Sequence, residues 1–424
     1  MKVLIVNTYD RGGAANACMR LHQGLLNQGI DSRVLLKEKL NAHIPYSYVC
    51  APKQDKLSKF KTQLFSLFPV LKRLVSIGDP SKDTLFLERR AKALELFSFP
   101  YANYDITEHQ LYKEADIVHL HWVAGFLDYR SFFKNNTKPV VWTLHDMNAF
   151  TGGEHYTETS LEIDAHGCPI PRQLTDAEQK LFARILKLKT QLFKTVDYLH
   201  IVAPSRWLAK AAHDSTVFKG RPIVHIPYGL DETVFMPQDP ELARTRLNIP
   251  QGKTVVLFVA DSITNARKGF VYLERALQGL QRDDVVICAI GHTHSAFSSV
   301  GQVIELGAID DDQLMAMAYS AVDVFVIPSL MDNLPNTVLE SLMCGTPVIG
   351  FPVGGITDMV QPGENGLLTE GIGVSYLLDT LQLFLNGEFK FDRVSIRQQA
   401  IKRYALGVQA KAYHELYLKI LRNN

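Results

Sequence analysis

Residues 323–355, DVFVIPSLMDNLPNTVLESLMCGTPVIGFPVGG, admit few folds. VFVIP is a short run of β-branched and apolar side chains without polar alternation, which is the pattern of a strand buried on both faces. Pro328 and Ser329 stop it, and Met331-Asp332-Asn333-Leu334 makes a polar turn. Pro335 stands where a first helical turn tolerates proline, with Asn333 or Ser329 available as a cap. TVLESLMC reads as a helix ended by Gly345, and VIGF as a second buried strand closed by Gly354-Gly355. This order implies two adjacent parallel strands, each delivering a helix N-terminus at its carboxyl end. Unpaired N–H groups and partial positive charge there suit a phosphate or diphosphate. Glu340, one turn inside the helix, can accept hydrogen bonds from a diol such as ribose. The plain alternative is a helix carrying two solvated acids, Asp332 and Glu340.

The same rhythm opens the chain. KVLIVN is a buried strand, YDRGGAAN a glycine turn, Ala14 to Gly29 an amphipathic helix, and DSRVLL the next strand. This is a Rossmann-like βαβ start, but it lacks the full G-x-G-x-x-G spacing of a dinucleotide site. Gly12-Gly13 either makes the turn or lets a ligand approach the backbone. ADIVHLHW and PVVWTLHD are further strands, with His121, Trp122, His145 and Asp146 at their carboxyl ends, where open α/β sheets hold their ligands. His145-Asp146 leads into a polar, glycine-bearing loop, so His145 is a candidate for proton transfer, against a structural role. The stretch 229–250 is polar and proline-containing, and the α/β pattern restarts at TVVLFVAD. The expected organisation is an N-terminal Rossmann-like domain at 1–228, a linker at 229–250, a second Rossmann-like domain at 251–400 and a helical segment at 401–424. Arg267-Lys268 heads a helix in the second half and either neutralises a diphosphate or is a surface basic pair.

Composition narrows the classes. The chain has 424 residues, enough for two or three domains, and 46% hydrophobic with 21% charged residues is the balance of a soluble globular protein. A net charge of +1 argues against wholesale nucleic-acid binding. Five scattered cysteines fit a reducing compartment. MKVLIVNTYDRGG is too short a run for a signal peptide and no stretch reaches transmembrane length, so a cytoplasmic location is expected. Residues 52–75 hold six Lys or Arg and one Asp beside several Phe and Leu. They read as a basic amphipathic helix up to Pro69, either packed with a solvated lysine face or seated on an anionic membrane surface. Glu154, His155, His166 and Cys168 match no standard zinc spacing, and no metal is expected.

Several motifs together resemble glycosyltransferase family 4, retaining enzymes of the GT-B architecture. They are Gly12-Gly13, APSRWL, IPYGLDETVFMP, Arg267-Lys268-Gly269-Phe270, and the acidic–seven residues–acidic motif from Asp332 to Glu340, followed by LESLMCGTPVIGFPVGGITDMV. TLHDMNAFTGG is similar to a subgroup that builds bacterial surface polysaccharides, of the colanic acid type. The resemblance covers nearly the whole chain. It implies an α/β fold, GT-B, with two Rossmann-like domains facing across a cleft and a C-terminal helix crossing back to the first. It implies a metal-independent hexosyltransferase with no cofactor, moving sugar from a nucleotide sugar to a glycan acceptor; the donor motif taken with the basic segment 52–75 adds the expectation of a lipid-linked acceptor and of a peripheral place on the cytoplasmic face of the inner membrane. His145, Lys268 and Asp332 would then be catalytic. Gly12, Gly13, Arg267, Lys268, Asn333, Leu334 and Glu340 would hold the donor, Glu340 through the ribose. His121, Trp122 and Asp146 would lie on the acceptor side. The sequence departs from the family where Asp332 replaces the usual Glu and Asp261 stands at the place of a usual Arg. The alternatives are a nucleotide-sugar epimerase of the same fold and a non-catalytic subunit that binds a glycan or a partner transferase.

Overall fold

The structure, a computed structural model, describes residues 1–41, 43–53, 80–91, 94–157, 160–262, 265–280, 282–292 and 303–423. Apart from residues 52 and 53, the basic segment 52–75 lies outside the described residues. Among the described residues no helix is long and apolar enough to cross a membrane.

Two parallel sheets organise the chain. The first draws on β1 (Lys2–Asn7), β2 (Asp31–Leu36), β3 (Ser47–Val49), β4 (Ile117–Leu120) and β5 (Val140–Thr143). After a small antiparallel hairpin, β6 (Ser160–Ile163) and β7 (Pro169–Pro171), it is completed by β8 (Leu199–Ala203) and β9 (Ile223–His225). Its order is β3-β2-β1-β4-β5-β8-β9, all parallel, so β4 is central and its carboxyl end lies beside that of β1. The second sheet uses β10 (Thr254–Ser262), β11 (Val285–His292), β12 (Val303–Gly307), β13 (Val324–Ile327), β14 (Val348–Gly350) and β15 (Gly366–Leu368). Its order, β12-β11-β10-β13-β14-β15, is again wholly parallel. These are two doubly wound, Rossmann-like halves, the GT-B arrangement.

Helices cover both faces of the first sheet, which is why its strands read as continuous apolar runs. One face packs against Phe126, Phe132, Phe193 and Phe218. The other packs against Cys18, Leu21 and Leu25 of the helix Gly13–Asn27, together with Tyr413, Tyr417 and Ile420. Those last three belong to the C-terminal helix Leu406–Asn423, which crosses back onto the first half as expected. The chain passes between the halves at residues 229–230 and 405–406. The two passages are bonded to each other, Leu230 N to Tyr404 O at 2.8 Å and Leu406 N to Leu230 O at 2.9 Å. The stretch 229–250 is packed along much of its length: Phe235, Ala243 and Ile249 enter the second core, and Pro240–Arg246 is a helix with Asp239 as its cap.

Candidate functional site

The carboxyl ends of the two sheets face each other, and the turn after β13 sits between them. Asp332 in that turn is buried. Its carboxylate accepts from Lys268 Nζ at 2.7 Å and from Ser329 Oγ at 3.3 Å, with Arg267 Nη1 at 3.3 Å. Burial pushes its pKa up, but Lys268 and Arg267 prevail and hold it below the ordinary carboxylate range. Asn333 reaches the first half: its amide donates to His145 O at 3.0 Å and its Oδ1 accepts from Ser205 Oγ at 2.6 Å. Leu334 is buried beside it.

Neither Ser329 nor Asn333 caps the following helix, Asn336–Met343, because both side chains are spent on these contacts. Pro335 holds the cap position without a side-chain bond. The glycine turn after β14 also differs from expectation as a second open anion cradle. Gly355 N donates to Asp332 O at 2.9 Å, and a Cβ on Gly354 would fall 2.0 Å from that oxygen. These glycines let one backbone turn lie directly on the other, and the helix that follows, Ile356–Met359, has four residues.

Across the cleft, the first glycine turn meets the same helix. Gly12 has φ of 91°, a conformation that favours glycine, and the helix Gly13–Asn27 starts without a side-chain cap or an acidic first turn. Asn336 Nδ2 donates to Gly13 O at 2.8 Å. Glu340, one turn further along, is buried and accepts from Arg20 Nη2 at 2.9 Å and Tyr319 Oη at 3.2 Å. Burial raises its pKa, opposed by Arg20.

Arg267 and Lys268 are adjacent in sequence yet differ in place. Lys268 is partly exposed beside Asp332. Arg267, only 10% exposed, sits in a clamp between the halves: Nε donates to Glu95 Oε1 at 2.5 Å, Nη1 donates to Met331 O at 2.7 Å, and the guanidinium lies 4.5 Å from the Tyr156 ring centroid. Asn265 Nδ2 joins Glu95 at 2.5 Å.

The histidines form a buried stack. His121 Nδ1 is 2.9 Å from His145 Nε2, and Tyr228 Oη is 2.7 Å from His145 Nδ1. Behind them, His119 bonds Thr143 Oγ1 at 2.7 Å and Tyr417 Oη at 2.7 Å. Burial lowers His145 to about 4 and His119 to about 3, and pushes His121 well below its ordinary value. All three are neutral near pH 7. Asp146 accepts from Trp122 Nε1 at 2.8 Å and shares a 2.6 Å contact with His155 Nδ1. Trp122, Asp146, His121 and His145 line one small pocket with His155. Glu154 is instead tied to Arg172 at 2.9 Å. Among the described residues no group of three or more His, Cys, Asp and Glu could hold a metal ion.

Sequence reasoning missed Arg20, Asn336, Glu95, Tyr156, Tyr228 and Lys189. Lys189 is fully buried; its Nζ donates to Asn148 O and, at 3.1 Å, to Thr151 O, and so fixes the loop after His145. The lysine sits on the inner side of an amphipathic helix, Asp176–Phe193, and a cation on that side was a signal available in the sequence.

Residues 253–385 match the family described as glycosyl transferases group 1. A D-inositol 3-phosphate glycosyltransferase of Acidothermus cellulolyticus is 29% identical over 178 residues, covering 34% of this chain and 36% of that one. The chain thus spans about a third of that relative. The Escherichia coli (strain K12) protein WcaC, named as a colanic acid biosynthesis glycosyl transferase, is 24% identical over 85% of each chain. Among solved structures, sucrose-phosphate synthase from Thermosynechococcus elongatus superposes with a TM-score of 0.69 at 17% identity, covering 100% of both chains. Anabaena Alr3699/HepE in complex with UDP-glucose gives 0.63 at 16% identity, over 99% of this chain and 100% of that one.

Proposed function

We propose that this chain, whose second half carries a group 1 glycosyl transferase domain, moves a hexose from a nucleotide-diphosphate sugar to a glycan acceptor with retained configuration and without a metal ion. One observation carries the reading. The Lys268–Asp332 pair, the buried His145 and the uncapped starts of two helices, at Gly13 and Asn336, converge on a single cleft between the sheets. Breaking a sugar–phosphate bond leaves negative charge on the diphosphate. Free N–H groups at those helix starts, with Lys268, are the donors that stabilise it. At roughly 1.5–3 kcal/mol for each charge-assisted hydrogen bond, two or three such donors account for several powers of ten in rate. Asp332 holds Lys268 in place beside them. His145, neutral and bonded at both ring nitrogens, shapes the sugar subsite and is not a cation there. Arg267 acts by joining the halves. Trp122 and Asp146 border the acceptor side.

The likeness over most of both chains to WcaC, named for colanic acid biosynthesis, supports a polysaccharide glycan as the acceptor class, and a lipid-linked form of it is the acceptor we propose. The likeness to a UDP-glucose complex makes uridine diphosphate sugars the first donors to try. The test is a panel of UDP-, GDP- and ADP-sugars scored for nucleoside diphosphate release with a lipid-linked acceptor. Turnover with one base is expected, and loss of nucleotide binding in Glu340→Ala by calorimetry. No release with any donor, or interconversion of the free nucleotide sugar without acceptor, removes the reading; the latter outcome is that of an epimerase.

A further inference from the structure

Two contacts run in parallel across the cleft. Gly13 and Arg20 are two helical turns apart on one face of the helix Gly13–Asn27, and Asn336 and Glu340 are one turn apart on one face of the helix Asn336–Met343. Asn336 meets Gly13 at 2.8 Å and Glu340 meets Arg20 at 2.9 Å. The guanidinium lies 5.3 Å from the Phe235 ring centroid, with Asp312 at 3.7 Å. Its Nη1 is buried and has no hydrogen-bond partner among the described residues.

We infer that Arg20 is a positioning residue for the nucleotide: from the opposite domain it holds the Glu340 carboxylate ionised and in one orientation to receive the donor's ribose hydroxyls. The inference rests on the glycosyltransferase reading and deepens it. Arg20 occupies one lone pair of Oε1 and Tyr319 one of Oε2, which leaves a free lone pair on each oxygen for a diol. The unpartnered Nη1 stands beside the same carboxylate as a further donor for an oxygen of the docked nucleotide. Because Arg20 and Glu340 belong to different halves, the ribose site is complete only when the cleft is closed as it is here. Nucleotide binding and closure therefore draw on one ion pair.

The groups facing Glu340 are Arg20 from the first half, Asp312 and Tyr319 from the helix Asp312–Ala321, and Cys344 at the end of its own helix. Removing Arg20 takes away the cation that opposes burial and Asp312, so the pKa of the acid rises further and its protonated, donating form gains at the expense of the acceptor. The experiment is titration calorimetry of UDP, GDP and ADP with the full chain, Arg20→Met, Glu340→Gln and the double variant, at pH 6, 7 and 8.5, with thermal melts to confirm folding. Arg20→Met is expected to weaken the nucleotide that the unaltered chain binds at least tenfold at pH 7. That deficit should shrink toward pH 8.5 and vanish in the Glu340→Gln background. A folded Arg20→Met that binds as tightly as the unaltered chain, or whose deficit persists unchanged beside Glu340→Gln and across pH, overturns the inference while leaving the glycosyltransferase reading in place. If the unaltered chain binds none of the three nucleotides, both fall.

Discussion

A methyl group on Gly355 would lie 1.5 Å from the carbonyl oxygen of Asn333. The backbone there is ordinary, with φ of −77°, so the obstacle is purely steric. Gly355→Ala must push the Asp332-Asn333 turn aside, and overpacking of this kind costs roughly 1–3 kcal/mol. The expected outcome is a lower melting temperature together with weaker nucleotide binding, since the displaced turn also carries the Lys268 partner. Arg267 behaves differently. Arg267→Met removes the guanidinium that Glu95 meets at 2.5 Å, and removing one member of a largely buried ion pair costs up to about 3–5 kcal/mol. Chemical denaturation should show that loss, and the restoring change is Glu95→Gln in the same chain. The site is legible in sequence where its parts are close neighbours: Asp332, Asn333 and Glu340 fall in one strand–turn–helix unit. It is illegible where partners are far apart. Arg20 and Glu340 are separated by 320 positions, and nothing local to either records the other.

The C-terminal helix Leu406–Asn423 is the element that ties the end of the chain to its beginning. Two buried hydroxyls seat it: Tyr413 Oη lies 2.6 Å from Thr143 Oγ1, and Tyr417 Oη 2.7 Å from His119 Nδ1. Thr143 and His119 are themselves bonded at 2.7 Å, so the four groups form one chain. Tyr413→Phe and Tyr417→Phe should each lose about 1–2 kcal/mol in urea denaturation. The double variant should depart from the sum by about 0.5 kcal/mol or more, because the groups share one network. At this scale the sequence was informative for long parallel strands, whose burial on both faces writes an unbroken apolar run. It was silent on β6, β7 and β15, which have only three or four residues, with Pro in β7 and Gly in β15. The hairpin gains its place from the other half: Val374 N donates to Gly167 O at 3.1 Å, and a Cβ on Gly167 would fall 2.5 Å from Val374. Such a contact has no periodicity to betray it.

At the scale of the whole molecule, the histidine stack joins what the sheets and the C-terminal helix hold separately. His119, on β4, turns to the C-terminal helix, while His121 and His145, just past the ends of β4 and β5, meet each other and Tyr228, at the passage between the halves. All three imidazoles are buried and neutral in the folded chain, and all three titrate near 6.5 once it unfolds. Between the unfolded value and the folded values of about 4 for His145 and about 3 for His119, the unfolded state binds more protons than the native one. Stability is therefore complete above about pH 7 and falls as pH drops below 6.5. With up to three protons taken up on unfolding, the slope approaches about 4 kcal/mol per pH unit near pH 5, and His145 and His119 each account for roughly 2.5 kcal/mol by pH 4.5. Urea unfolding at pH 7.5, 6, 5 and 4.5 measures this directly. A steepening loss is expected across that window, with fluorescence of Trp122 and Trp142, which flank the stack, reporting the same transition as the global fold. A stability that stays level from pH 6.5 to 4.5 would mean that the stack accepts protons in place, and that the two halves and the C-terminal helix do not depend on its neutrality.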